Sequence, residues 1–291
     1  MKKILVPVDF SNHTDITCRY AIEFAKAYGA AIMLFHTYFD QIIIADTSFP
    51  DTLDMSTIYN EELMKEIFRQ AERNMLELEE KLNALIKKEN LDNITLSTKV
   101  TGGEIEHELK EICIEFHPDL VVMGTTGKGN NLNVWGKVST FIIDHAKVPV
   151  ITVPEIKNFH GFQTIMLAAD LSDGNAATIS DLFRIFTPFS FRIKVVHFIT
   201  KSKQVDEYER MKALQLKFGK EEKLNMIDFE VIEVADDNQK AVDQFVIENN
   251  VDLIALRPHK RSLLYMFFTK NITKKNLFAA NVPLLAIPAT S

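Results

Sequence analysis

At 291 residues, 46 % hydrophobic and 25 % charged, the chain has a globular composition with material for one large or two ordinary domains. Its formal net charge of −7, from 33 basic and 40 acidic residues, argues against a general polyanion-binding surface and so against nucleic acid as a partner. No apolar run approaches the ~20 residues that cross a bilayer; Asp9 interrupts the N-terminal MKKILVPVDF as a secretory signal, and Cys18 and Cys113 form no CxxC pair. The expectation is a cytoplasmic location, without disulfides and without a membrane partner.

Strand-like and helix-like patterns alternate along the first half. Residues 3–8 (KILVPV) read as a buried strand. Ser11 or Asn12 can cap a helix that runs to about Tyr28, where Gly29 is a C-terminal stop. Residues 31–37 (AIMLFHT) form the next strand, and a polar, irregular stretch follows to about Ser56. Leu63, Ile67, Ala71, Met75, Leu78, Leu82 and Leu85 recur at helical spacing, which predicts a long helix over about 60–88. Residues 94–100 alternate like a strand, Gly102-Gly103 is a turn, and 104–116 carry helical periodicity. Residues 120–123 form a short buried strand, 137–145 a helix and 149–153 (PVITV) a fifth strand. Strands alternating with helices imply a parallel sheet covered on both faces.

The second half repeats the first. VPVDFS at 6–11 returns as LAADLS at 167–172, and LFH at 34–36 returns as VVH at 195–197, so that Asp170 and His197 each follow Asp9 and His36 by 161 positions. HPDLVV at 117–122 returns as NVDLIA at 250–255, 133 positions on, and AKVPVITVP at 146–154 returns as ANVPLLAIP at 280–288, 134 positions on. The second copy is therefore about 28 residues shorter between its second and fourth strands, as the difference between 161 and 133 requires. Domains at 1–155 and 162–291 follow, divided by a polar segment that contains Gly161.

Four of the ten glycines crowd into the segment after the fourth strand: Gly124, Gly127, Gly129 and Gly136. A glycine-rich turn from a parallel strand into a helix offers backbone N–H groups and a helix N-terminus to an anion, and ligands of open sheets lie at the carboxyl ends of the strands. By itself such a loop is equally well a flexible turn. Neither GxxxxGK[ST] nor GxGxxG is present.

Further motifs narrow the choice. Pro7-Val8-Asp9-Phe10-Ser11 ends the first strand, Phe35-His36-Thr37 ends the second, and the glycine loop precedes His145-Ala146-Lys147-Val148-Pro149-Val150. In these elements the chain resembles a tandem universal stress protein, in both halves. The resemblance implies two tandem α/β domains of the adenine-nucleotide α-hydrolase-like type. Each would have a five-stranded parallel sheet of order 3-2-1-4-5, with adenine nucleotide held over strands one and four. Carried over by position, Asp9 would face the ribose with Pro7 nearby, and Thr37 would meet the adenine through its backbone. Met123, Gly124, Gly127 and Gly136 would form the phosphate loop, and Val138 and Ser139 would begin the helix that receives the phosphates. ATP is the implied cofactor, with Mg²⁺ alongside it.

The family pattern G-x2-G-x9-G-[ST] is met with two departures. Only eight residues separate Gly127 from Gly136, and Lys137 stands where a hydroxyl is expected. Lys137 can serve as a point charge, while Ser139 and Thr140 supply hydroxyls further along the helix. The second copy has no glycine in the loop: Arg257 stands at the position of Gly124, and Pro258 removes a backbone donor. Arg257, His259, Lys260 and Arg261 read as a solvated basic face, and the apolar run 263–268 as core packing or a filler of the vacated site.

His36 and His197 read as structural strand-end histidines, since ligand-spaced Cys, Asp or Glu are missing around them. No GxSxG elbow and no general base near a γ-phosphate can be named, so catalysis would be at most slow ATP hydrolysis. An interaction protein that uses a protein partner and no nucleotide is the rival reading. Family members pair through the fifth strand, which implies contact between 149–153 and 283–287 within this chain and leaves edges through which two chains could join.

Overall fold

The computed structural model describes residues 1–38, 53–125, 137–155, 159, 161–200, 204–218, 225–234, 238–258 and 281–288. The first half contains β1 (Lys3–Pro7), α1 (Thr14–Tyr28), β2 (Ala31–Tyr38), α2 (Leu53–Lys88), β3 (Thr95–Gly102), α3 (Ile105–Phe116), β4 (Leu120–Gly124), α4 (Lys137–His145) and β5 (Val150–Val153). The second contains β6 (Thr164–Ala168), α5 (Gly174–Phe186), β7 (Arg192–Thr200), α6 (Gln204–Phe218), β8 (Ile227–Val234), α7 (Asn238–Glu248), β9 (Leu253–Leu256) and β10 (Leu284–Ala286).

All ten strands form one sheet in the order β3-β2-β1-β4-β5-β10-β9-β6-β7-β8. Each half thus has the order 3-2-1-4-5, and within each half all pairs are parallel. The halves meet where β5 and β10 pair antiparallel, Thr152 opposite Leu284 and Val150 opposite Ala286, as the fifth-strand resemblance implies. Ile4, Leu5 and Val6 are fully buried because β1 is central and covered on both faces. One face packs under α1, α2, α5 and α6, with Ile4, Val6, Leu34, Leu120 and Val122. The other packs under α3, α4 and α7, with Leu5, Phe35, Val121 and Met123.

The segment between the halves is polar in composition, yet its end contributes to the core. Phe162 is 2 % exposed, and its ring lies 5.1 Å from those of Phe24, Phe159 and Phe186 and 5.2 Å from that of Phe189. The Tyr28 hydroxyl donates to the carbonyls of Arg184 (3.0 Å) and Ile185 (2.7 Å), tying the end of α1 to α5.

Three boundaries differ from expectation. α1 begins at Thr14 rather than directly after Ser11 or Asn12; its N-cap is His13, which makes no side-chain cap bond. Ser11 still accepts the His13 N–H on its hydroxyl (3.3 Å), so the expected residue supports the entry turn from one place outside the helix. Gly29 ends the helix as expected, in the left-handed conformation at φ 61°. α2 begins at Leu53, inside the stretch read as irregular. Asp54, Ser56 and Thr57 are weak helix formers, but no Gly or Pro separates Leu53 from the periodic part, so the helix propagates back. Residues 39–52 lie outside the described set. β3 runs on through Gly102, which pairs with Tyr38, so the turn starts at Gly103 with φ 139°.

Candidate functional site

The carboxyl ends of β1 and β4 are adjacent because these strands pair directly. Pro7 closes β1, and two residues on the chain forms a tight turn in which Phe10 takes φ 55°. Left-handed backbone is costly for a residue with a Cβ, so something must hold the turn. Asp9 does: its Oδ1 accepts the Ser11 N–H (3.1 Å) and the Thr14 hydroxyl (3.4 Å). His36 adds a second tie, its Nδ1 donating to the Val8 carbonyl at 2.7 Å while its ring packs 4.4 Å from that of Phe10.

The second half repeats this turn closely. Leu171 has φ 57°, Asp170 Oδ1 accepts the Ser172 N–H (3.0 Å) and the Asn175 amide (2.6 Å), and His197 Nδ1 bonds to the Ala169 carbonyl at 2.7 Å. Asp9 and the strand-end histidines therefore have an architectural role in both copies, in agreement with the structural reading of His36 and His197.

At the end of β4, Met123 is 5 % exposed and Gly124 is the last strand residue, paired with Val153. Lys137 opens α4, Val138 is half-buried and Ser139 is buried at 3 %. The Ser139 hydroxyl lies 3.2 Å from the carbonyls of both Gly124 and Thr125 and donates there, which fastens α4 to the exit of β4. Thr37 is half-buried in β2, opposite Thr101 of β3. Pro7, Asp9, Met123, Gly124 and Ser139 thus gather at one end of the sheet, while Gly127 and Gly136 lie outside the described residues.

The largest difference between the halves surrounds Gly124 and its counterpart Arg257. Arg257 is not a solvated cation: it is 8 % exposed. Its Nε donates to Thr178 Oγ1 (2.6 Å), its Nη2 to Asp181 Oδ2 (2.7 Å) and its Nη1 to the Pro288 carbonyl (3.2 Å). It fits because α5 begins with Gly174, where a Cβ would lie 3.2 Å from Arg257 Cδ. The first half reverses both residues, with His13 at the position of Gly174 and Gly124 at that of Arg257. There His13 is 7 % exposed and its Nε2 meets Glu155 Oε2 at 2.9 Å. Thr17, the counterpart of Thr178, has a buried Oγ1 with no hydrogen-bond partner among the described residues, and His13 Nδ1 likewise has none there. The motif reading missed His13, Thr17 and Glu155. The signal was available as a large-for-small exchange between aligned halves. Residues 259–280, including His259, Lys260, Arg261 and the run 263–268, lie outside the described set.

A family model described as "Universal stress protein family" matches residues 1–154, more than half of the 291. The chain belongs to the universal stress protein family. A curated universal stress protein of Methanocaldococcus jannaschii is 27 % identical over 157 residues, which is 54 % of this chain and 84 % of that relative. A solved universal stress protein from Archaeoglobus fulgidus superposes with a TM-score of 0.62 at 15 % identity, covering 99 % of this chain and 98 % of its own. A putative universal stress protein of Pseudomonas aeruginosa UCBPP-PA14 gives 0.59 at 13 % identity, covering 99 % and 93 %. At such identities the two structures speak for the fold, and they extend it across both halves.

No group of three or more His, Cys, Asp or Glu side chains suited to a metal ion occurs among the described residues. No helix among them is long and apolar enough to cross a membrane. The groups at the sheet end are of the kind that meet an anion. They comprise a glycine at the strand exit, a helix N-terminus, and two buried polar atoms, on Thr17 and His13, without partners among the described residues.

Proposed function

We propose that the N-terminal half binds ATP or a related adenine nucleotide over the carboxyl ends of β1 and β4. The C-terminal half then serves as a structural or regulatory partner without a nucleotide of its own. The observation that carries this reading is the exchange at Gly124 and Arg257: one half keeps a strand exit free of side chain, and the other fills the same position with a buried guanidinium bonded through all three of its nitrogens. Asp9 and the turn it holds would position the ribose. Pro7 and Thr37 would flank the adenosine. Gly124, Met123, Val138 and Ser139 would shape the start of the phosphate site, with Gly127, Gly136 and Lys137 completing it. The nucleotide would supply a polyanion and its Mg²⁺, and the α4 N-terminus would meet that charge with its dipole. Binding would change the shape or partner choice of a cytoplasmic stress-response protein, rather than support turnover.

Calorimetric titration with ATP, ADP and AMP tests the reading. One site per chain is expected, together with a rise in melting temperature. Absence of both heat and thermal shift at millimolar nucleotide would refute it. A nucleotide-independent interaction protein is favoured by one feature: the Ser139 hydroxyl proton is already committed to the carbonyls of Gly124 and Thr125. Under that reading all three nucleotides leave the melting temperature unchanged.

A further inference from the structure

The amino ends of β4 and β5 carry a second concavity, at the opposite edge of the sheet from the site above. α3 and α4 diverge over a cavity of about 540 Å³, within the range of ~300–1,000 Å³ that holds small ligands. Ile114, Phe141 and Val148 supply accessible apolar walls, over the buried Leu109 and Ile142. Its mouth carries Lys110, His117, His145 and Lys147, and no acidic side chain among the described residues lines it. Such a cluster is unexpected in a chain with net charge −7.

Lys110, His117 and His145 are held in place. Lys110 Nζ lies 4.7 Å above the centre of the Phe141 ring, and the His145 ring stacks on the same ring at 4.3 Å with 23° between planes. His145 Nδ1 donates to the Phe141 carbonyl (2.8 Å) and His117 Nδ1 to the Glu115 carbonyl (3.2 Å). Ile114 beside them is 64 % exposed, although it is a large apolar residue.

The duplicated half provides an internal control. Its apolar counterparts persist: Val242 matches Leu109, and Ile247, 74 % exposed, matches Ile114. The cations do not persist, for Lys110, His117 and Lys147 correspond to Asp243, Asn250 and Asn281. The apolar positions thus belong to the fold, while the positive mouth belongs to the first half alone.

We propose that the α3–α4 groove binds a small amphiphilic carboxylate, an aliphatic chain with one anionic head. The chain lies along Ile114, Phe141 and Val148, and the head meets Lys110 and Lys147. Charge complementarity selects this occupant: an uncharged apolar ligand would leave the two ammonium groups unused, and a polyanion would have no use for the apolar walls. The proposal is independent of nucleotide binding, because the two sites lie at opposite ends of the strands.

Calorimetric titration of the full chain with decanoate, octanoate and decanol, each below its micelle-forming concentration, tests it. Decanoate should bind and raise the melting temperature. Octanoate should bind about fifteenfold more weakly, for two methylenes fewer in contact with the walls. Decanol should bind at least tenfold more weakly than decanoate. The triple variant Lys110→Asp, His117→Asn, Lys147→Asn installs the second half's own residues at exposed positions. It should keep the parental melting temperature and lose at least tenfold in decanoate affinity. The proposal is overturned if decanoate gives no heat in the millimolar range, if decanol equals it, or if the triple variant binds as well as the parent. Displacement of decanoate by ATP would also overturn it. So would a concentration-dependent dimer that the triple variant abolishes, because the occupant would then be a second copy of the chain.

Discussion

Replacing Asp181 by alanine should destabilise the protein far more than its place on a helix would suggest. Its Oδ2 lies 2.7 Å from Arg257 Nη2, with the two side chains 17 % and 6 % exposed. Without the carboxylate, a guanidinium stays buried with only the Thr178 hydroxyl and the Pro288 carbonyl, both neutral, to satisfy it. Breaking a buried pair from one side costs about 3–5 kcal/mol, because the remaining charge is uncompensated. For a chain of this size that corresponds to a fall in melting temperature of roughly 10 °C, at ~2–4 °C per kcal/mol. Arg184 supplies the control. It bonds the other oxygen of Asp181 at 3.0 Å, but its side chain is 70 % exposed, so Arg184→Ala should cost under ~1 kcal/mol. Arg257→Met should fall between the two, since it removes the charge and keeps much of the volume. Differential scanning calorimetry of the three variants checks the order. If Asp181→Ala lowers the melting temperature no further than Arg184→Ala, the account of Arg257 as a buried, bonded plug is wrong.

Asp9→Ala and Asp170→Ala should each lose about 1.5–3 kcal/mol by chemical denaturation, because each removes a carboxylate that holds a left-handed turn, but only Asp9→Ala should weaken ATP binding in calorimetry. Burial pushes the Cys18 thiol up to about 12, with Asp15 adding to it, and burial with the charge of Asp252 pushes the Tyr20 phenol up to about 12. Both groups are held neutral by the fold, so their contribution is complete below the unfolded values near 9 and 10 and is lost as pH rises towards 12; unfolding followed by tyrosinate absorbance should show this alkaline loss. Burial likewise raises the Cys113 thiol to about 11, so at pH 8 thiol-reagent labelling of the native chain should be about a hundredfold slower at Cys113 than in unfolded protein. Residues 1–155 expressed alone would uncover the β5 edge that β10 now occupies, and light scattering should report a dimer of that fragment.

Much of the architecture was legible because it rests on local pattern. The apolar runs at β1 and β4, the stop at Gly29 and the match of Asp9 to Asp170 required no knowledge of distant contacts. The pairing of β5 with β10 followed from a resemblance that the duplicated ends made concrete. α2 was under-read because Asp54, Ser56 and Thr57 resemble a loop when taken singly, while propagation from an established helix needs only the absence of a breaker. Arg257 was misread for a different reason. Beside His259, Lys260 and Arg261 it reads as one more exposed cation, and its actual partners lie 79 and 76 positions back in the chain. Linear neighbours predict solvation, whereas the spatial neighbours Thr178 and Asp181 predict burial.

The same residues show how a duplicated fold becomes asymmetric without changing its frame. The turn at Asp9 and the turn at Asp170 keep the same bonds, so the strand ends they shape are equivalent in the two halves. Substitution has instead acted on a pair of positions that face each other, His13 with Gly124 and Gly174 with Arg257. Changing one member alone would leave either crowding, as a Cβ at 174 would lie 3.2 Å from Arg257 Cδ, or a void. The exchanged pairs avoid both. In the second half a guanidinium comes from the strand exit and is neutralised internally, while in the first the strand exit carries no side chain and the His13 ring is turned towards Glu155. A Gly124→Arg substitution alone should therefore collide with His13, whereas Gly124→Arg with His13→Gly should be accommodated. The double variant would also meet Tyr20 where Arg257 has Asp181, so its guanidinium would lack a carboxylate. Tyr20 is 3 % exposed and packs on Phe159 and Phe162, so the double variant should fold with a lower melting temperature than the parent, and it should not bind ATP. A folded double variant with undiminished ATP binding would show that the strand exit at position 124 is not part of the nucleotide site.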